Sequence, residues 1–194
     1  MIKSGNRKQQ AERTKREIFE AALRLLDKKK LDDITVRDIV KEANVSIGSF
    51  YNYYNTKLEV FYETYVLADE YFETNVKNKL TEVTYCDRIL HFFREYGYYQ
   101  TYVGSYSLTK VLYNSDNNCF HRVSSKGIVP ILIDLCKGAK NNGEFNTIRT
   151  PEYIAQFLMI CVRGISYDWC ISGGVYDLSD KFSEYVQLLL NSFK

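Results

Sequence analysis

The feature that most constrains this chain is a helix that must stop and restart within three residues. Thr35, followed three positions later by Asp38, is a helix-starting cap, and Val36, Ile39, Val40 and Ala43 then recur at the spacing of one buried helical face. Asn44-Val45-Ser46 ends that face at once. Asn tolerates the left-handed backbone of a tight helix-ending turn, Val45 can plug the core beneath it, and Ser46 can cap the next helix. That next helix is brief, because Thr56-Lys57-Leu58-Glu59 has the T-x-x-E form of a capping box and opens a third, long helix running to about Leu80. Residues 35–54 therefore read as helix, tight turn, helix.

The rest of the chain gives no reason to leave helices. Only 2 prolines and 10 glycines interrupt 194 residues, and alternating runs of Val, Ile and Thr are absent, so the fold class is all-α. With 45% hydrophobic residues a real core can be buried. Upstream, Ile18, Phe19, Ala22, Leu23, Leu25 and Leu26 mark an amphipathic helix over 9–29 that ends in Lys28, Lys29 and Lys30. Downstream, helices are expected at about 85–103, 105–114 and 123–142. Thr150-Pro151-Glu152 starts another that runs to about Ile171, and Ser179 caps the last, which reaches nearly to Lys194. The expected organisation is about nine helices: a three-helix domain over 1–57 and a larger helical domain over 58–194.

Charge divides at the same place. Residues 1–57 hold 13 Lys and Arg against 8 Asp and Glu, while the remainder holds 13 against 16. A positive first third is what attraction to phosphate requires, although basic helix faces are also commonly just solvated. The N-terminus is polar and basic, and no stretch approaches the ~18 uncharged apolar residues of a membrane span, so a cytoplasmic location without membrane attachment is expected. Five cysteines form no CxxC pair, which argues against a disulfide framework or a zinc site and for buried free thiols. Cys119-Phe120-His121 is the only nearby nucleophile and base, and neighbours in sequence rarely meet in catalytic geometry. No phosphate-binding glycine loop, paired metal-ligand spacing or nucleophile elbow is found, so neither an enzyme nor a cofactor is expected.

A helix-turn-helix places its second helix in the DNA major groove while its first crosses the backbone. Here Val36, Ile39, Val45 and Phe50 can lock the pair together, with Tyr54 also in the core, leaving Ile47, Gly48, Ser49, Asn52 and Tyr53 near the outer face. Gly48 costs a short helix ~1 kcal/mol against Ala. Close approach of backbone to DNA is one reason to keep it.

The stretch "ITVRDIVKEANVSIGSFYNYYNTKLEVF" resembles the N-terminal signature of the TetR family of transcriptional regulators, with T-V-R-D-I, the A-x-V-S turn, G-S-F-Y and K-x-E-x-F in order. The resemblance covers residues 15–61. It implies a homodimer that binds a palindromic operator, usually as a repressor, and releases it when a small molecule enters the C-terminal domain. A constitutive DNA-binding or protein-interaction factor without an inducer is the alternative. Tyr51 and Lys57 match family positions that touch phosphate, as suits a phenol donor and a point cation at helix ends. Arg37 matches a position from which some members reach a base edge; a surface salt bridge is its other reading. Ser46, Ser49, Asn52 and Tyr53 are candidates for base edges or phosphates.

In the C-terminal domain, Ile154, Leu158, Cys161 and Ile165 form one apolar face of the 151–171 helix, and Phe157, Ile160 and Gly164 form another. A helix apolar on two faces must be covered twice. With the last helix, about 179–193, it could build an intermolecular four-helix bundle, the expected homodimer contact. Residues 91–113 are rich in rings. Phe92, Phe93, Tyr96, Tyr99, Tyr102, Tyr106 and Tyr113, together with His121, Met159 and Trp169, could line a pocket for a small apolar or aromatic ligand. Such rings also serve as ordinary core. Arg163, in an apolar helix, could orient a polar group or pair with another side chain.

Overall fold

The computed structural model describes residues 2–113 and 124–194, the side chains of 2–8 excepted. It is all-helical: among the described residues there are nine α-helices and no strand. They form two compact units, residues 1–64 and 65–194. The boundary expected between 57 and 58 lies at the start of the helix inside which the units divide.

The first unit holds α1 (Ile2–Leu26), α2 (Val36–Glu42), α3 (Ile47–Tyr51) and the first half of α4 (Lys57–Tyr71). α1 starts earlier and ends sooner than the periodicity alone suggested, and its Ile18, Phe19, Ala22, Leu25 and Leu26 are buried. Ile34, Ile39, Val40, Phe50, Tyr54, Val60 and Phe61 complete that core.

The caps that divide α2 from α3 follow from local chemistry. The Thr35 hydroxyl accepts from Asp38 N at 3.1 Å, and Asp38 Oδ2 accepts from Thr35 N at 2.9 Å, a closed capping box. Asn44 takes φ 54°, the left-handed turn that Asn tolerates. Ser46 Oγ accepts from Ser49 N at 3.0 Å and starts α3.

In the second unit, α5 (Tyr85–Tyr98) packs on α9 (Leu178–Leu190) and α7 (Ile128–Asn141), α8 (Pro151–Ile171) packs on α7 and α9, and α6 (Tyr106–Leu112) lies against α8. Two helices continue into wide π-helical turns, Phe72–Val76 after α4 and Tyr99–Val103 after α5. In the second of these, Gly104 N reaches back to Tyr99 O at 2.7 Å. Gly97 makes the α5–α9 contact possible: a Cβ there would stand 2.7 Å from the backbone of Ser179.

Distant carboxylates close the exposed helix starts. Glu144 accepts from Tyr85 N at 2.9 Å and Cys86 N at 2.8 Å at the start of α5. Asp69 accepts from Ile128 N at 3.1 Å and Glu73 from Gly127 N at 2.8 Å at the start of α7. Gly127 itself takes φ 91°, with Asp69 packed where its side chain would stand.

Two expectations are corrected. The last helix is capped by Asp177, which accepts from Asp180 N at 2.9 Å; the Ser179 hydroxyl instead donates to Arg94 O at 3.0 Å and ties α9 to α5. α8 does have the length and apolar composition of a membrane-crossing helix, against the expectation that no stretch approaches one. Its apolarity has a different use here, since Ile154, Leu158, Val162 and Trp169 are buried in the helical core.

Candidate nucleic-acid interface

α3 is held by its inner residues and presents its outer ones. Phe50 is fully buried and meets Tyr54 at 5.7 Å between ring centroids. Tyr51, one position on, is 55% exposed, and Ile47 is 45% exposed. Gly48 and Asn52 are exposed as well, while Ser49 and Tyr53 are half-buried. A methyl group at Gly48 would meet only Ser46 Oγ, at 3.8 Å. Nothing inside the unit demands glycine there.

Arg37, on α2, is exposed, and among the described residues no carboxylate pairs with it. Its acidic neighbours are engaged elsewhere. Asp38 accepts from Thr35 and lies 3.3 Å from Lys29, and these hydrogen bonds, the Thr35 backbone first, hold its carboxyl below the usual range. Glu42 pairs with Arg24 at 2.9 Å, which lowers its carboxyl too. The surface salt bridge that is the other reading of Arg37 is not formed among the described residues.

Two expected contact residues spend their polar atoms inside the unit. The Ser46 hydroxyl is the α3 cap and shares a 2.9 Å hydrogen bond with the Ser49 hydroxyl. Lys57 Nζ donates to Leu31 O at 2.7 Å and Ile34 O at 2.8 Å, with Asp32 O at 3.4 Å. Its ammonium thus holds the carbonyls of the short 3-10 turn Leu31–Asp33 against the start of α4 instead of standing out as a bare cation. Sequence reasoning missed this because the partners lie more than twenty residues away and are backbone atoms.

The ring-rich segment of the second unit separates into groups. Phe92, Phe93, Tyr96 and Tyr99 are buried; Phe72 meets Phe92 at 5.0 Å, Tyr96 at 6.1 Å and Tyr99 at 6.4 Å, and Phe92 meets Phe93 at 5.1 Å between centroids. Tyr96 also stacks on Phe182 at 5.9 Å. Tyr106 meets Trp169 edge-on at 5.3 Å and donates to Cys170 O at 3.0 Å, while Trp169 Nε1 donates to Tyr176 O at 2.8 Å. Met159 is buried in the same core. Tyr102 leaves the group: it is 65% exposed on the wide turn and lies against Tyr98 at 5.1 Å. His121 lies outside the described residues.

One side chain that sequence reasoning passed over belongs with these rings. Gln100 is buried on the wide turn, one helical turn beyond Tyr96, and its Nε2 donates to Tyr113 Oη at 3.3 Å. The available signal was a glutamine continuing the Phe92–Tyr96 stripe. Burial pushes the Tyr113 phenol well above its ordinary value.

A tightly turned helix pair with an outward second helix, followed in the chain by a helical unit rich in buried rings, defines a two-domain helix-turn-helix protein. Residues 18–64 match the family described as bacterial regulatory proteins, tetR family. Three solved structures share the fold over nearly the whole chain. The transcriptional regulator FadR from Bacillus subtilis, in complex with stearoyl-CoA, is 18% identical with a TM-score of 0.69, covering 92% of this chain and 98% of that one. FadR of Thermus thermophilus, in complex with lauroyl-CoA, is 18% identical with a TM-score of 0.69, covering 91% and 92%. NalD of Pseudomonas aeruginosa, the secondary repressor of a multidrug efflux pump, is 18% identical with a TM-score of 0.60, covering 94% and 96%. No curated protein matches the chain.

Proposed function

We propose that this protein is a homodimeric DNA-binding transcriptional regulator, a repressor released from a palindromic operator by a small molecule. The observation that carries the DNA-binding part is the outer face of α3. Ile47, Gly48, Tyr51 and Asn52 are turned to solvent on a helix fixed from within by Phe50, and glycine stands where the fold leaves room for a larger residue. Arg37 extends this surface from α2, with Ser49 and Tyr53 at its margin. Ser46 and Lys57 act by holding the pair of helices in shape. Phosphate contacts by Tyr51 fix register, and base contacts by Arg37 or Asn52 supply sequence preference.

Dimerisation is supported by a stripe left uncovered on α8. Tyr153, Phe157, Ile160, Gly164, Tyr167 and Ile171 recur every three or four residues, and all are exposed except Phe157, which is half-buried. A Cβ at Gly164 would meet nothing within 4 Å. On α9, Tyr185 and Leu188 are exposed beside them. The opposite face of α8 is core, so this second face is the one a partner copy would cover.

Control by a small molecule is supported by the buried rings of the second unit and by the acyl-CoA complexes of the two FadR proteins that share its fold. α4 begins after the helix-turn-helix and carries Asp69 in its last turn; Asp69, with Glu73 on the wide turn that follows, holds the start of α7. A ligand that shifts α7 or the wide turns would move α4 and with it the spacing of the two α3 helices in the dimer. The effect is limited to the ligand's differential affinity for the two arrangements. Action on DNA places the protein in the cytoplasm, and none of these roles calls for an enzymatic step. Electrophoretic mobility shift with the upstream DNA of its own gene and neighbouring genes, with and without lauroyl-CoA, tests this reading.

A further inference from the structure

Gln100 is 7% exposed, yet its side-chain Oε1 has no hydrogen-bond donor among the described residues. Its Nε2 is used, donating to Tyr113 Oη at 3.3 Å. Turning the amide over does not remove the problem, because Tyr113 would then donate to the oxygen and the nitrogen would be left over. An amide buried in apolar surroundings with half its capacity unspent costs the fold free energy, and such groups persist where they serve a site.

Its position points the same way. Gln100 lies in the wide turn Tyr99–Val103, and π-helical turns inside helices occur often at functional sites. The turn is not slack: Thr109 Oγ1 donates to the Gln100 carbonyl at 3.0 Å and ties α6 to it, and Thr101 Oγ1 donates to Gly97 O at 2.9 Å. The amide is therefore held in place by its backbone while its side chain is incompletely paired. Around it stand other polar groups in an apolar core. Burial pushes the Tyr96 phenol up, hydrogen bonds with Tyr113 and Gln100 and the charge of Arg163 oppose that rise, and Asp69 adds to it. Tyr113 in turn interacts with Ser166. A cation and a carboxylate thus act on Tyr96 with opposite signs, the Arg163 charge having the larger effect.

We propose that the cluster of Tyr96, Gln100 and Tyr113 is the seat for the polar end of the regulatory ligand, and that this end is neutral and carries a hydrogen-bond donor, as an amide or alcohol on an apolar chain does. A carboxylate would set its oxygens against Gln100 Oε1, whereas an amide N–H completes the pairing and its carbonyl can accept from a tyrosine hydroxyl. The inference rests on the ligand-controlled reading above and deepens it.

The test uses the full chain and the fluorescence of Trp169, the only tryptophan, which packs on Tyr106 in the same unit. Dodecanamide and dodecanoate are titrated into the parent protein, Gln100→Leu and Gln100→Met. The parent should bind dodecanamide at least ~10-fold tighter than dodecanoate, and both variants should lose most of that preference, since a site built around a donor rejects the analogue without it. Both variants should also melt close to the parent, because the lost hydrogen bond to Tyr113 is offset by removal of an unpaired amide oxygen. Equal preference in parent and variants, no binding of dodecanamide by the parent, or a large drop in melting temperature in both variants would overturn the inference and leave Gln100 a structural residue. The broader reading of ligand control fails separately, if no compound of any class releases the bound DNA.

Discussion

Lys57 donates from Nζ to the carbonyl oxygen of Leu31 at 2.7 Å, across 26 residues of chain. With a second hydrogen bond to Ile34 O at 2.8 Å, the ammonium holds the loop before α2 to the start of α4. Hydrogen bonds from a charged donor contribute ~1.5–3 kcal/mol, so Lys57→Met, which keeps the apolar stem, should lower stability in urea unfolding by an amount in that range. It should weaken binding to every DNA sequence alike and leave the salt dependence of binding unchanged. A salt slope reduced by ~0.9 per subunit, with stability intact, would instead make Lys57 a direct phosphate contact.

Gly48 separates folding from binding. Its position is helical, exposed and open to a methyl group. Gly48→Ala should raise the stability of the first unit by ~0.4–1 kcal/mol, through helix propensity and a less flexible unfolded chain. The same change should reduce DNA affinity, because the added methyl group stands where the backbone approaches the duplex. Tighter binding in a mobility-shift titration would remove α3 from the interface.

The helix-turn-helix was legible in the sequence because each part of it is local. Thr35 and Asp38, Asn44, and Ser46 all make their bonds within a few residues, so residue type and spacing were sufficient. Asp177 and Ser179 show where that fails: both are good caps, and the choice was made by Arg94 O, far away in sequence, which engages the Ser179 hydroxyl. Lys57 was recognisable as a cation near a helix start, but not as the clamp on Leu31 and Ile34. Tyr102 and Gln100 sit on a π-helical turn that shifts the helical period, so a pattern drawn through the rings selected the exposed tyrosine and passed over the buried amide.

Arg37 should act on preference instead of on affinity in general. It is exposed and without an acidic partner among the described residues, so Arg37→Ala should leave stability within ~0.5 kcal/mol of the parent. If its guanidinium reads a guanine, the variant should lose ~1–3 kcal/mol of discrimination at one position in each half-site. An unchanged binding motif from selected DNA would return Arg37 to the solvated surface.

Gly97 is a structural prediction. A Cβ there would stand 2.7 Å from Ser179 backbone atoms and 2.9 Å from Leu178, so Gly97→Ala must push α9 from α5. Overpacking of this kind costs ~1–3 kcal/mol, and thermal unfolding should show it. A parent-like melting temperature would mean that the two helices can separate without loss.

The α8 stripe predicts the assembly. Ile160 is 57% exposed at its centre, and Ile160→Glu should give a folded monomer in sedimentation equilibrium, with the parent a dimer. Since two linked half-site contacts are lost at once, operator affinity should fall by far more than tenfold. A variant that stays dimeric would place the interface on another face.

Selection of bound duplexes from a random pool, using the parent protein, tests the central claim most directly. The account predicts an inverted repeat whose half-sites lie about one helical turn, ~34 Å, or a small multiple of that apart, as a two-fold dimer requires of its two α3 helices. An asymmetric site bound by a monomer, or a pool that returns no enriched sequence, would contradict it.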